Sequence, residues 1–337
     1  MLNFDPERYV SIQTGAVQLA PRIDRAVGDL LAAGATNVVF AGTGGAGILM
    51  QPAHDLLVER SSFPAHLVWP AETILTRPAF LGPGSIVIIP SRSGNTPESV
   101  EMMRCAQDVG ATVLALVAND HTPLADGADV SLVNFAADDT SSESFFIQSL
   151  LVAMSIMRHR GEMDDYESVL AELHELPVAL LSAKVAFEPR AAELAEAIQH
   201  VDYHVFTGSG PTWAEAYYFG MCILEEMQWI RTRPVHASDF FHGTLELIEP
   251  EVSVFILKGE DATRELCDRV ERFLTGRTAR IQVVDAGEFE LAGLSARTRG
   301  LVSASVLAAV LERLAAHLEV LRDHPLTTRR YYRQISY

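Results

Sequence analysis

Apolar residues recur at two spacings along this chain, and the spacings take turns. From Pro6 to Ala33, the positions Ile12, Ala16, Leu19, Ile23, Val27 and Leu30 return every three or four residues, the period of one helix face. A bend is expected near Pro21 and an end at Gly34. Short apolar runs without alternation follow at residues 37–41, 85–89 and 112–117, with weaker ones near 65–69 and 129–133. Such runs suit strands of a parallel sheet covered on both faces. Helical patterns stand between them, from about Ile48 to Glu59, from Pro97 to Val109 and from Phe145 to Met157. Strand and helix alternating in this way predict an α/β fold with a parallel sheet.

The second half repeats the first. After a helical stretch from Arg158 to Ile198, with a break expected at Leu176-Pro177, a strand at Tyr203–Phe206 runs into Thr207-Gly208-Ser209-Gly210 and a helix from Pro211 to Trp229. Gly208 and Gly210 stand 166 positions after Gly42 and Gly44. A run at 252–257 parallels that at 85–89, and a strand at 279–284 with an apolar helix at 301–321 closes the copy. Two units of one kind are the economical reading, divided at residues 1–175 and 176–337.

Composition narrows the class. A hydrophobic content of 48% with 21% charged residues is globular. A net charge of −18 argues against nucleic-acid backbone binding by the surface as a whole. No apolar run approaches the ~20 residues that span a bilayer, and the first residues lack a signal-peptide pattern, so no membrane is expected. Cys105, Cys222 and Cys267 fit neither a disulfide framework nor a metal spacing, which places the chain most simply in a reducing cytoplasm.

Two turns carry candidate chemistry. Ser91-Arg92-Ser93-Gly94-Asn95-Thr96 joins a buried strand to a helix opening at Pro97. Three hydroxyls (Ser91, Ser93, Thr96), a tight Gly94 and a helix N-terminus make a phosphate cradle. Gly42-Thr43-Gly44-Gly45-Ala46-Gly47 fits a dinucleotide fingerprint, but the acidic partner that fingerprint wants at the end of the next strand is represented only by Glu72, which comes late. The polar run Asp138–Ser144 before the Phe145 helix offers Ser141 and Ser142 to the same sheet edge. In the second copy Lys258, Glu260 and Asp261 stand where the serines were, and carboxylates there would repel a phosphate.

The serine turn, the glycine turn and the tandem plan resemble the sugar isomerase (SIS) family in its two-domain form. The opening Met1–Asp5, the stretch Phe241–Glu246 and the tail near His324–Tyr331 are most similar to its fructosamine-6-phosphate deglycases. The resemblance implies two three-layer α-β-α domains of flavodoxin-like or Rossmann-like form without a nucleotide. It implies a sugar-phosphate enzyme that needs no metal or redox cofactor, working as a homodimer or larger assembly with sites shared between subunits. It assigns Glu226 as the base, with Glu225 its neighbour and competitor; at about 100° apart on a helix, only one is expected to face a given pocket. His242, followed by Gly243, works beside it, and Thr43, Gly44, Gly45, Ser141 and Ser142 line the sugar pocket.

Two departures bear on the substrate. Relatives carry Ser or Thr where this chain has Ala46, so one hydroxyl is missing or is supplied by Thr43, and a lysine some relatives carry near Ser142 is replaced by Glu143 and Ser144. Arg329, Arg330 and Arg333, in an aromatic and basic tail, are candidates for the site rim. A partly desolvated Glu226 would be basic enough to take a C1 proton from an aminoketose. The alternatives are an aldose–ketose isomerase, an aminosugar-phosphate deaminase, and a non-catalytic sugar-phosphate sensor.

Overall fold

The computed structural model describes residues 1–278 and 280–335. Ala279, expected to open the last strand, and Ser336 and Tyr337, at the end of the basic tail, lie outside them. The chain divides into two compact units, Glu7–Pro177 and Val178–Tyr337, the latter including Met1–Pro6.

The Glu7–Pro177 unit is built on five parallel strands: β1 (Asn37–Ala41), β2 (Ala65–Val68), β3 (Ser85–Ser91), β4 (Thr112–Val117) and β5 (Val130–Val133), ordered β2-β1-β3-β4-β5. Every residue of β1 and β3 is buried, as runs without alternation require. Strand β3 runs further than its apolar core, through Pro90 and Ser91. Its ladder with β1 stops at Ile88, so the missing N–H of Pro90 faces no partner there, while β4 pairs on through Ser91. The opening helix breaks at Leu19 into Pro6–Gln18 and Ala20–Ala32, the second carrying Pro21 in its first turn.

The other unit carries β6 (Tyr203–Gly208), β7 (Arg231–His236), β8 (Ser253–Lys258) and β9 (Ile281–Asp285), all parallel, in the order β7-β6-β8-β9. This is the order β2-β1-β3-β4 over again, so the internal repeat holds at the level of topology. Its core packs Val205, Phe240, Val254, Ile256, Cys267 and Val270 beside the sheet.

One expectation is corrected here. The helix Ala296–Leu321 is long and apolar enough to cross a membrane by composition, but 83% of its apolar window is buried inside the protein. It starts before Leu301 because the Ser295 side chain caps it, accepting from Thr298 N. Within it, Arg313 is fully buried and grips Glu188, at 2.6 Å from its Nε, together with the Leu2 carbonyl.

Candidate active site

In an open parallel sheet the ligand crevice lies where the strand order reverses, at the C-terminal ends of the strands. In the first unit that point falls between β1 and β3, whose following turns are the glycine turn and the serine turn. The fold therefore brings Thr43–Gly45 and Ser91–Thr96 to one edge.

The serine turn is rigidly made. Ser91, buried, accepts from Gly94 N at 3.0 Å, and Asn119 Nδ2 donates to the Arg92 carbonyl at 2.9 Å. Gly94 has φ 65°, and a Cβ there would sit 2.1 Å from Thr122 Oγ1, so no other residue fits without displacing the loop after β4. Ser93 and Thr96, both half-buried, bring their hydroxyls within 3.5 Å of each other. Thr96 occupies the cap position of the helix Pro97–Asp108, yet its side chain makes no capping bond. Ser91 thus builds the turn, and the Ser93–Thr96 pair forms its hydroxyl face.

The glycine turn divides likewise. Gly42 and Gly47 touch backbone to backbone, a Cβ on Gly42 meeting Gly47 Cα at 2.3 Å, so this pair serves packing. Thr43 Oγ1 is buried with no hydrogen-bond partner among the described residues. A buried hydroxyl left unmatched is costly, and Thr43 is the residue the sequence offered in place of the hydroxyl missing at Ala46.

Ser141 and Ser142 form the first turn of the helix Ser141–His159 rather than a loop ahead of it. Ser141 is buried with its hydroxyl 3.4 Å from the Asp138 carbonyl, and Ser142 is half-buried. Glu143 points inward and accepts from the Tyr9 hydroxyl at 2.9 Å. Arg92 of the serine turn pairs with Asp138 at 2.9 Å, linking the loops that follow β3 and β5.

The matching switch point in the second unit, between β6 and β8, is filled by the chain itself. Asp261 Oδ1 accepts from Thr263 N at 2.8 Å, and a Cβ on Gly210 would lie 2.8 Å from that same oxygen. Lys258 is held by Asp268 and Glu271, and Glu260 by Arg299 at 2.7 Å. A resident carboxylate stands where the other copy has hydroxyls.

The candidate glutamates of this unit stand at the far end of the helix after Gly210. That helix is α over Pro211–Tyr218, π over Phe219–Glu225 and α again over Glu226–Gln228, ending at Trp229 with φ 56°. Such widened turns are frequent at functional sites. Gly220 lets the π segment approach β7, since a Cβ there would lie 3.0 Å from Thr232 Oγ1.

Glu225 Oε1 accepts from Thr232 N and Oγ1 at 3.0 and 2.7 Å, whereas Glu226 Oε1 accepts from Arg329 Nε at 2.9 Å. Both carboxylates nevertheless line one open cavity of 760 Å³, with Asp202, Tyr203, Trp229, Arg231, Arg329, Arg330, Tyr331 and Tyr332. The expectation of one glutamate per pocket is therefore corrected. The cavity is wide enough to wrap the helix end and take in side chains that diverge. Burial pushes the Cys222 thiol, one turn before Glu226, well above its ordinary value, and the carboxylates of Glu226, Glu215 and Glu225 add to the effect.

Three expectations meet a different geometry. The Glu226 side chain is 37% exposed and ion-paired, not desolvated. His242 stands exposed on the loop between the short turns Asp239–Phe241 and Thr244–Leu247 and does not line the cavity. Arg333 does not line it either; its guanidinium lies 5.3 Å from the Tyr332 ring. Sequence reading gave no part to Trp229, over which Arg330 stacks at 4.0 Å; an aromatic at a helix end 101 positions before a basic tail is the signal that was there. Among the described residues no group of three or more His, Cys, Asp or Glu could hold a metal ion.

Comparison with known proteins agrees with this frame. Residues 33–158 match the SIS domain model. The chain is 29% identical over 303 residues to fructosamine deglycase FrlB of Bacillus subtilis, covering 89% of this chain and 92% of that one. It is 24% identical over 246 residues to fructoselysine 6-phosphate deglycase of Escherichia coli K12, covering 73% and 70%. A Bacillus subtilis crystal structure, provisionally named a phosphosugar isomerase, superposes with a TM-score of 0.88 at 29% identity, over 95% of this chain and 99% of that one. The chain therefore carries an SIS domain over residues 33–158, and the strand order of that half is repeated in the second.

Proposed function

We propose that this protein is a fructosamine-6-phosphate deglycase, releasing glucose 6-phosphate and a free amine or amino acid. The observation that carries the reading is similarity to a fructosamine deglycase along nearly the whole of both chains. Glu226 in an open cavity of sugar-phosphate size supports it. Ser93 and Thr96, with Ser91 behind them and Gly94 closing the turn, hold the phosphate. Thr43, Gly44, Gly45, Ser141 and Ser142 face the sugar. Holding the phosphate remote from the reacting carbons lets its binding energy fix C1 and C2.

With the ketone exposed, Glu226 removes a proton from C1, giving a C1–C2 enaminol. Reprotonation at C2 leaves an imine at C1, water adds to it, and the C1–N bond breaks to release the amine. His242 moves protons at the sugar oxygens as a general acid–base group. Because His242 does not line the Glu226 cavity of its own chain, the reading includes a homodimer, in a reducing cytoplasm, in which a second copy supplies it.

Purified protein incubated with a fructosyl-amino-acid 6-phosphate is expected to form glucose 6-phosphate, read by a coupled dehydrogenase. The phosphosugar isomerase name of the similar structure favours a second reading, an isomerase or deaminase working through the same enediol chemistry. Ammonia from glucosamine 6-phosphate would support the deaminase, and tight binding without turnover a sensor. Ser93→Ala is expected to raise KM for the phosphorylated substrate roughly 10- to 100-fold, the worth of one hydrogen bond to a charged group. An unchanged KM would move the phosphate to another turn.

A further inference from the structure

Arg329 meets Glu226 with only part of its guanidinium. Its Nε donates to Glu226 Oε1 at 2.9 Å, while Nη1 is turned back on its own segment, donating to the Leu326 carbonyl at 2.6 Å and the Thr328 carbonyl at 2.9 Å. Nη2 makes no hydrogen bond among the described residues. Guanidinium groups hold carboxylates best through two parallel N–H···O bonds, so the edge formed by Nε and Nη2 is half used.

The segment that carries Arg329 is anchored independently of it. Leu326 N donates to Glu319 Oε1 at 2.8 Å, Gln228 Nε2 donates to the His324 carbonyl at 2.7 Å, and Arg330 stacks on Trp229. Arg329 can therefore change partner while its segment stays docked.

Resting on the deglycase reading, we propose that Arg329 is the specificity residue for an α-carboxylate on the departing amine, and that taking this carboxylate on its Nε–Nη2 edge withdraws the Arg329 charge from Glu226. A glutamate held by a guanidinium is stabilised as the anion and turned toward it, both of which oppose its taking a proton from carbon. A substrate carboxylate exchanges one charge-assisted bond for two, so the exchange is favourable on the arginine side. The ligand is a monoanion rather than a second phosphate. Asp202, Glu225 and Glu226 line the same cavity against Arg231, Arg329 and Arg330, so the charges of the lining balance and one added negative charge disturbs that balance less than two. The substrate class is thus a fructosyl 6-phosphate of an α-amino acid with its carboxylate free, and amines without that group leave Arg329 on Glu226.

The test compares fructosyl-glycine 6-phosphate with its glycinamide counterpart, which differs only in the carboxylate, on the wild type and on Arg329→Gln. The wild type is expected to favour the carboxylate roughly 10- to 100-fold in kcat/KM, and the variant to bring the ratio within about threefold of unity. Arg329→Lys, which keeps the charge and loses the two-pronged edge, should restore only part of the preference. An unchanged preference in Arg329→Gln, no preference in the wild type, or loss of both substrates in a variant that remains folded by circular dichroism would each overturn the assignment. Failure of the wild type to release glucose 6-phosphate from either compound would instead overturn the deglycase reading itself, and the assignment with it.

Discussion

Glu226→Gln is expected to lower kcat by about 10³-fold, within the 10²–10⁴ range of a positioned acid–base group, while the sugar phosphate still binds. The substitution is isosteric and keeps an oxygen that can accept from Arg329 Nε, so the docked tail and the cavity wall should persist. Retained binding by calorimetry with lost turnover identifies a base; retained turnover removes Glu226 from the chemistry. Glu225→Gln provides the comparison within the same cavity. Glu225 is committed to Thr232, so its loss should disturb the junction with β7 far more than the reaction.

The same variant tests whether sites are shared. In a two-fold dimer that takes Glu226 from one copy and His242 from the other, mixing inactive Glu226→Gln with inactive His242→Ala makes mixed dimers that carry one intact site. Random mixing then restores about a quarter of the wild-type activity. No recovery would mean that both groups act from one chain, against the exposed position of His242 outside the cavity.

What could be read in advance follows a physical line. Strands β1, β4 and β6 were legible because a strand buried on both faces leaves an apolar run that nothing else explains. The serine turn was legible because Gly94 and Pro97 mark a tight turn and a helix start, both local requirements. Strand β3 was read short because Pro90 and Ser91 look like punctuation. Only the register shows that the β1 ladder has already ended before Pro90. The π winding before Glu226 has no local signature; it depends on Gly220 nestling against Thr232, a tertiary contact. The Arg329–Glu226 pair joins residues 103 positions apart, and composition could show only that the tail is basic and aromatic. The difference in charge between the two turns was readable from the sequence, since Asp261 and Glu260 stand where Ser93 and its neighbours do. Their occupation of the second switch point gives that substitution its physical meaning.

Arg313→Leu is expected to destabilise the unit that holds it by about 3–5 kcal/mol, the cost of leaving one partner of a buried ion pair unmatched. The Arg313 side chain is fully buried and that of Glu188 nearly so, at 16% exposure, with Glu312 and His317 at 3.3 and 3.1 Å completing the cluster. Burial alone would raise the Glu188 carboxyl. The Arg313 hydrogen bond, the Leu2 amide, the Arg313 charge and His317 outweigh it and bring it from 4.5 to about 2. A carboxyl depressed in the folded state adds stability that is complete above its unfolded value and is lost as pH falls through the folded one. The gap between wild type and Arg313→Leu should therefore be full at neutral pH and narrow as pH falls from about 4.5 toward 2. Urea unfolding followed at several pH values measures this, with the transition assigned to the unit because two units need not unfold together. Leu at both 313 and 188 should recover most of the loss, since a pair replaced by apolar groups leaves no stranded charge. A gap under ~1 kcal/mol, or one that does not change with pH, would mean that the cluster is solvated in solution and that the Leu2 segment is held by packing on Phe4 instead.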